Sequence, residues 1–481
     1  VGVGGRQPLP SWQLRAVAAM ERPGAAELDS PYEVQHTEDR GRVLVASRFL
    51  ARGKLVLQEP ALLMAPASRM PMCIRCFKFT DDCERPLHCA RCGFGYCGLG
   101  CQASLQEFHE VECMLLRHEF FKDWLEKSPM TPWAICRGLA VKVKRPEAWQ
   151  ELLKLQVASA PPEHADLYAQ VLSITRGLRE FQAVAGRDVE HILGACNTYG
   201  HLCWRAPQEQ GEQLCTNTLL GLFPVASIPE HSCVPSCFKS FWHSGGEIVM
   251  QLRTLRDVQP GESLSLPYTN LSEPTHLRQA ALSAKRFRCS CARCRDPVEL
   301  GSHLSSVRCP ACGSGFVSPP CVDYDLAGKS WACSHCPVQL PWKALRAFEA
   351  SMEARLLELE QEVLQDYEAK GLMVEFRASC CQRLHPRHWV LLRCNLAIGT
   401  FHQQAMLEEP ALCKEHGILE ACDDALVALE SFGPEVDDSR ARLYQSRSAA
   451  LGDAELGAES ARRARELRVA LYGMERAEAV A

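Results

Sequence analysis

Between residues 73 and 113 the chain spells CIRC, CARC, YCGLGC and HEVEC, which set Cys73, Cys76, Cys89, Cys92, Cys97, Cys101, His109 and Cys113 in four close pairs. Two donors separated by two or three residues reach one ion from a tight turn or a helix face, and a structural zinc site closes at four nitrogen or sulfur ligands. Eight donors therefore specify two zinc ions. Cys83 and His88 fall outside the pairs and take no role. A second group, RCSCARC, supplies Cys289, Cys291 and Cys294, one donor short of a closed site. The segment PEHSCVPSC at 229–237 offers Cys233 as the fourth, and Cys237 competes for that role on spacing alone. Farther on, CPAC (Cys309, Cys312) and CSHC (Cys333, Cys336) flank a long gap, the layout of a zinc ribbon. Cys136, Cys196, Cys203, Cys215, Cys321 and those from Cys380 onward read as packing residues or surface thiols.

Such donors need a chain that folds with its thiols reduced. The chain carries 27 cysteines in 481 residues, too long for the usual secreted disulfide scaffold, and the paired spacing favours metal in a reducing compartment. Cytoplasm and nucleus are the expected locations. No stretch approaches the roughly 20 apolar residues of a membrane span, and the N-terminus lacks a signal pattern. Residues 1–30 read as a flexible tail, with Met20 as the expected start. Hydrophobic residues make up 47%, enough for a substantial core, and a prior of roughly 150 residues per domain suggests about three domains. The net charge is −5, so nothing global indicates nucleic acid.

The positioning elements are legible in outline. GRVLVASRFLARGKLVLQEPALLMA, from Gly41, shows two apolar runs broken at Arg52 and Gly53, which predicts a strand, a turn and a second strand paired as a hairpin. The segment from about Glu119 to Leu193 is rich in helix formers, and strand signals return from Leu219 to Tyr268, with a turn at Pro260 and Gly261. Beyond Pro341 the chain is helical, MEARLLELEQEVLQDYEA being its clearest amphipathic stretch. These helices could pair like tetratricopeptide repeats, but no clean repeat is visible, so simple helix packing is expected.

The order of the eight-donor block resembles a MYND zinc finger. An N-terminal strand pair, that finger, an HSCxP turn, a GExLxxxY strand and a CxCxxC tail together resemble the SET-and-MYND lysine methyltransferases, across about residues 35–295. The ribbon, DPVELGSHLSS before it and LHPRHW after it resemble that family's arthropod-type subgroup. The resemblance implies interleaved ligands: Cys73, Cys76, Cys97 and Cys101 on one ion, Cys89, Cys92, His109 and Cys113 on the other. It implies Cys233 as the fourth ligand beside Cys289, Cys291 and Cys294, and S-adenosylmethionine as cofactor. Arg40, Gly41 and Arg42 then fall on the cofactor loop, Asn197 and His231 on cofactor contacts, Phe287 on the aromatic of the tail and Tyr268 on the catalytic tyrosine.

The implied fold is α+β: SET-domain β-sheets with an inserted MYND finger, a post-SET zinc cluster, a zinc ribbon and a C-terminal helical domain. The expected boundaries are 31–72 and 194–270 for the SET parts, 73–113 for the finger and 114–193 for a helical insertion. Residues 271–296 are post-SET, 297–340 the ribbon and 341–481 the helical domain. The expected partners are a protein substrate with an exposed lysine and a proline-rich peptide at the finger, bound by a monomer.

The chain departs from the family at its cofactor turn. Glu230 and Ser236 stand where the family has Asn, Val43 stands where it has the second Gly of Gly-x-Gly, and Pro267 precedes the tyrosine. An ionised Glu accepts but cannot donate, so Glu230 is expected to hold the cofactor's ammonium. A β-branched Val43 would resist a positive φ. Two readings follow, a working lysine methyltransferase, which is preferred, and a SET-like scaffold that binds peptides. If all four ligand groups close, elemental analysis will give about four zinc per chain, and about two would leave only the finger standing.

Overall fold

The computed structural model describes residues 30–66, 71–81, 83–157, 165–203, 219–244, 247–285, 287–319, 330–365, 370–408, 416–431, 439–452 and 455–472. Met20 and the tail before residue 30 lie outside the described residues, as do Cys215, Cys321 and Cys413.

The elements begin with strands β1 (Tyr32–Thr37), β2 (Gly41–Ala46), β3 (Leu55–Pro60), β4 (Leu63–Pro66), β5 (Leu87–His88) and β6 (Gly95–Tyr96). Helices α1 (Leu99–Leu116), α2 (Glu119–Lys127), α3 (Met130–Lys144), α4 (Pro146–Leu153), α5 (Ala165–Arg176) and α6 (Gly186–Tyr199) follow. Next come β7 (His201–Cys203), β8 (Leu219–Leu222), β9 (Glu230–His231), β10 (Cys237–Ser244), β11 (Glu247–Thr254) and β12 (Ser265–Leu266). Helices α7 (Thr275–Ser283) and α8 (Ala292–Arg295) precede the ribbon strands β13 (Val307–Arg308), β14 (Phe316–Ser318), β15 (Ser330–Cys333) and β16 (Gln339–Pro341). Six helices close the chain: α9 (Trp342–Gln365), α10 (Lys370–Cys381), α11 (Trp389–Glu408), α12 (His416–Glu430), α13 (Ser439–Leu451) and α14 (Glu455–Tyr472). The architecture is α+β.

The described residues form two compact units, one of Leu55–Ile228 with Lys239–Leu252, the other of Tyr32–Lys54, Pro229–Phe238 and the chain from Arg253 onward. In the first unit, α3 is the axis of the core. Every residue from Pro132 to Val141 is buried, so the helix carries no polar stripe and shows little periodicity in the sequence. Gly138 lets it close on α6, since a Cβ there would stand 2.7 Å from Ile192 Cδ1. Burying a Leu or Ile contributes about 1.5–3 kcal/mol, and Ile135, Leu139, Ile192 and Leu222 are all sealed in this core.

The second unit corrects the predicted hairpin. β2 pairs antiparallel with β1, Thr37 opposite Gly41, and not with Leu55–Pro60, which lies in the other unit. Both edges of β2 are taken: β1 lies on one side, and on the other Ala46 N–H donates to Glu262 O (3.0 Å) and Leu264 N–H to Leu44 O (2.7 Å). The expected turn at Arg52 and Gly53 is present, with Lys54 N–H on Ala51 O at 3.2 Å and Gly53 at φ 77°, but it leads along a neighbouring segment, with Leu50 N–H on Val258 O at 3.0 Å and Gly53 N–H on Thr254 O at 2.8 Å. β1 escapes sequence reading because four of its six residues are exposed. Gly41 closes the true hairpin at φ 71°, a conformation that costs a β-substituted residue energy.

β9 and β12 are parallel neighbours, Glu230 beside Ser265 and His231 beside Leu266. That crossing carries the HSC turn to the end of GESLSLPY. The ribbon is an antiparallel sheet in the order β13-β14-β15-β16, and α9 to α14 pack largely on their next and next-but-one neighbours. GSHLSS and LHPRHW meet where ribbon joins helices: the His303 and His385 rings stack at 4.4 Å, and buried His388 reaches Glu349 of α9 at 3.3 Å.

Val43 is 1% exposed, sits in β2 opposite Gln35 and is not among the residues of positive φ. The strain expected of a valine at this position is therefore absent, and its side chain is core. Val43→Gly will destabilise the protein by roughly 2–4 kcal/mol in urea unfolding, through lost burial and added backbone entropy. An unchanged midpoint would show that β2 does not need it.

Candidate active site and zinc centres

The sixteen expected donors gather into four sets: Cys73, Cys76, Cys97 and Cys101; Cys89, Cys92, His109 and Cys113; Cys233, Cys289, Cys291 and Cys294; Cys309, Cys312, Cys333 and Cys336. Within each set the ligand atoms lie within 4.8 Å of one another. Sulfurs about 2.3 Å from one tetrahedral ion stand about 3.8 Å apart. The pairs Cys76–Cys97 (3.6 Å), Cys89–Cys113 (3.8 Å), Cys233–Cys294 (3.5 Å) and Cys309–Cys336 (3.6 Å) match that spacing.

Helix α1 carries Cys101, His109 and Cys113, so one rigid element contributes donors to both of the first two sets. His109 turns Nε2 toward Cys92 (3.4 Å) and Nδ1 to Glu112 (3.1 Å). Glu112 is fully buried and clamped by Arg137, whose Nε donates to Oε1 at 2.6 Å. A carboxylate behind a histidine ligand fixes its orientation and raises its basicity.

Cys233, and not Cys237, completes the third set. Cys237 is buried apart from it, and burial pushes its thiol up to about 12. The buried charges around this set fit a metal thiolate. Arg278 and Arg293 are both 0% exposed, and the one carboxylate between them is Glu299, at 2.7 Å from Arg278 and 3.2 Å from Arg293. Both guanidiniums lean on this carboxylate in a place where an uncompensated charge costs several kcal/mol. Arg278 also meets the Glu273 carbonyl, the Thr275 hydroxyl and sulfur: its Nε donates to Cys233 Sγ at 3.3 Å and Nη2 approaches Cys294 Sγ at 3.7 Å. Four neutral thiols would not answer that charge, whereas four thiolates on zinc carry two negative charges.

The residues expected at the cofactor and the methyl acceptor lie mostly in the second unit. His231 Nδ1 accepts the Tyr268 N–H at 2.9 Å, so its other nitrogen holds the proton and points at Cys233 Sγ, 3.2 Å away. Burial pushes this imidazole down to about 4, and the ring is neutral. Both of its nitrogens are thus engaged within the protein, and any cofactor contact falls to its backbone or ring face. The rings of His231, Tyr268 and Phe287 form a cluster with centroids 5.4–6.2 Å apart. The Tyr268 hydroxyl donates to Pro229 O at 2.6 Å.

Glu230 is not an unpaired carboxylate. Arg40 Nη1 meets its Oε2 at 3.0 Å, joining two residues that the sequence assigned separately to the cofactor. Gly41 and Arg42 are half-buried at the start of β2. Asn197 belongs to the first unit, exposed near the end of α6. Sequence reasoning missed Arg278, Arg293 and Glu299, since a lone arginine on a helix and one in a cysteine cluster carry no signature of their shared partner. It also missed Lys285, whose ammonium lies over the Tyr268 ring at 5.9 Å.

Searched against family models, the chain matches none. Among curated proteins it is 27% identical over 330 residues to the SET domain-containing protein SmydA-8, isoform A, of Drosophila melanogaster, covering 64% of this chain and 65% of that protein. It is 25% identical over 334 residues to the histone-lysine N-methyltransferase ASHR1 of Arabidopsis thaliana, 63% of each chain. It is 24% identical over 273 residues to human histone-lysine N-methyltransferase SMYD3, 54% of this chain and 60% of that one. The matches thus span about two thirds or less of these relatives' lengths. A solved SET domain of LSMT, bound to lysine and AdoHcy, aligns with 98% of this chain and 87% of its own at 12% identity and a TM-score of 0.32, which carries no argument. The resemblance to SET-and-MYND proteins read from the motif order is borne out by the named relatives.

Closed sites contribute folding free energy. Cys233→Ser will lower the zinc content by about one ion and the melting temperature with it, while Cys237→Ser will keep the full metal content. Equal losses from the two variants would mean that Cys237 shares the site.

Proposed function

We propose that the chain is an S-adenosylmethionine-dependent protein-lysine N-methyltransferase, acting as a monomer on an exposed lysine of another protein in the cytoplasm and nucleus. The observation that carries this reading is the placement of Tyr268: its backbone is tied through His231 to the post-SET thiolates, and its hydroxyl is fixed on the Pro229 carbonyl. The relatives' names support the same reading.

S-adenosylmethionine would supply an electrophilic methyl group. Phe287 offers a half-buried ring face, and Glu230, held by Arg40, offers its second oxygen to an ammonium. The Tyr268 oxygen donates its one proton to Pro229 and keeps lone pairs that can accept from a lysine amine. With the amine aligned and water displaced by His231 and Phe287, the protein supplies orientation and a neutral nucleophile, since desolvation disfavours the ammonium form. No zinc ligand takes part in that step.

The finger supports a peptide-binding role. A cavity of about 570 Å³ is lined by Met72, Phe94, Leu125, Pro129 and Trp133 among others, and Phe94 meets Trp133 edge-on at 4.7 Å. Aromatic-walled grooves of this kind suit a proline-rich segment.

One titration separates the enzyme from a scaffold. Charge-assisted bonds contribute about 1.5–3 kcal/mol, so Glu230→Gln will weaken S-adenosylmethionine binding roughly tenfold in calorimetry, and Tyr268→Phe will spare binding while slowing turnover of a lysine substrate. A wild type that binds no cofactor, rescued by Glu230→Asn, would favour the scaffold.

A further inference from the structure

The Tyr268 ring already has a lysine against it. Lys285 follows α7, and its ammonium stands 5.9 Å from the centre of the Tyr268 ring. Its backbone is fixed on both sides. Lys285 N–H donates to Leu282 O at 2.9 Å, and four residues later Gln279 holds both the N–H (3.2 Å) and the carbonyl (2.8 Å) of Cys289. Cys289 is a member of the post-SET set, so the turn that carries Lys285 is anchored by the same cluster that positions Tyr268.

Among the described residues no carboxylate pairs with Lys285, and its recorded side-chain partner is the aromatic face. Lys285 is exposed, so its stem can turn. A cation that has a π face in place of a counter-ion is held weakly at an exposed site. The contact is therefore easily broken and remade.

From this geometry we propose that Lys285 is a methyl acceptor in its own chain, an inference that rests on the methyltransferase reading above. The ammonium gives up one proton to water, and the Nζ lone pair forms a bond to the sulfonium methyl. The carbon–sulfur bond breaks and its electron pair returns to sulfur, leaving S-adenosylhomocysteine and a methylammonium on Lys285. The product keeps its charge. The Tyr268 and Phe287 rings, edge to face with centroids 6.2 Å apart, offer a methylammonium the aromatic surroundings that such cations favour.

Two measurements on the full chain test this. The first needs no cofactor: reductive methylation with ¹³C-formaldehyde labels every lysine, and the Lys285 resonance, assigned by its loss in Lys285→Arg, should lie upfield of the others under the Tyr268 ring current. Tyr268→Leu should return it to the common position. The second incubates the protein with methyl-labelled S-adenosylmethionine and no added substrate, then maps the label by mass spectrometry. Label is expected on Lys285, at a rate per molecule unchanged by tenfold dilution and lowered at least about tenfold by Tyr268→Phe. Lys285 left unlabelled while an added lysine peptide is methylated overturns the inference and leaves the methyltransferase reading standing. Labelling that slows on dilution also overturns it, because the acceptor is then another molecule. A chain that binds no cofactor overturns both.

Discussion

The buried guanidinium of Arg278 ties separate stretches of the second unit to one point. It is 0% exposed, cannot lose its proton, and must find acceptors for its N–H groups inside the protein. Glu299 supplies a carboxylate, shared with Arg293, the sulfurs of Cys233 and Cys294 face it, and the Glu273 carbonyl and Thr275 hydroxyl accept its other N–H groups. Two stretches of chain are thereby committed together. The Glu299 side chain is held in place while its backbone runs left-handed through Glu299 and Leu300, with φ of 53° and 59°, a cost of order 1–3 kcal/mol each. Asp296 meets part of it by accepting from the Val298 and Leu300 amides at 3.0 and 2.8 Å.

From the same cluster the constraint runs inward. Cys233 sits two residues from His231, and the imidazole bridges sulfur on one side and the Tyr268 amide on the other. A residue that the family resemblance assigns to the cofactor therefore has its polar atoms spent on holding the tyrosine. Glu230, likewise, is met first by Arg40.

What the sequence could reveal follows from how local each feature is. Zinc donors come in pairs a turn apart, so CIRC, CARC, CPAC and CSHC are visible without any knowledge of the fold, and the donors they name do converge. The choice between Cys233 and Cys237 was open on spacing, because both are far from Cys289 along the chain and only the crossing of β9 with β12 decides it. The hairpin partner of β2 is hidden for a related reason: apolar runs mark strands but do not say which edge is already filled, and β1 is polar. Arg278, Glu299 and Arg293 left no trace because a charged residue looks exposed until its partners are known. LHPRHW was noticed only through resemblance, and its physical content, His388 against Glu349 and His385 stacked on His303, is tertiary.

The separation between Cys233 and the rest of its set matters during synthesis. Cys289 lies 56 residues farther along, and a ribosome adding about 5–20 residues per second needs roughly 3–11 s to produce that stretch. For that interval the growing chain holds a cysteine whose partners do not yet exist, beside a histidine that is also waiting for its neighbours. The finger, whose donors are all made earlier, can take up metal and shut before then. The order of synthesis thus lets the finger close several seconds before the set that holds the tyrosine can form.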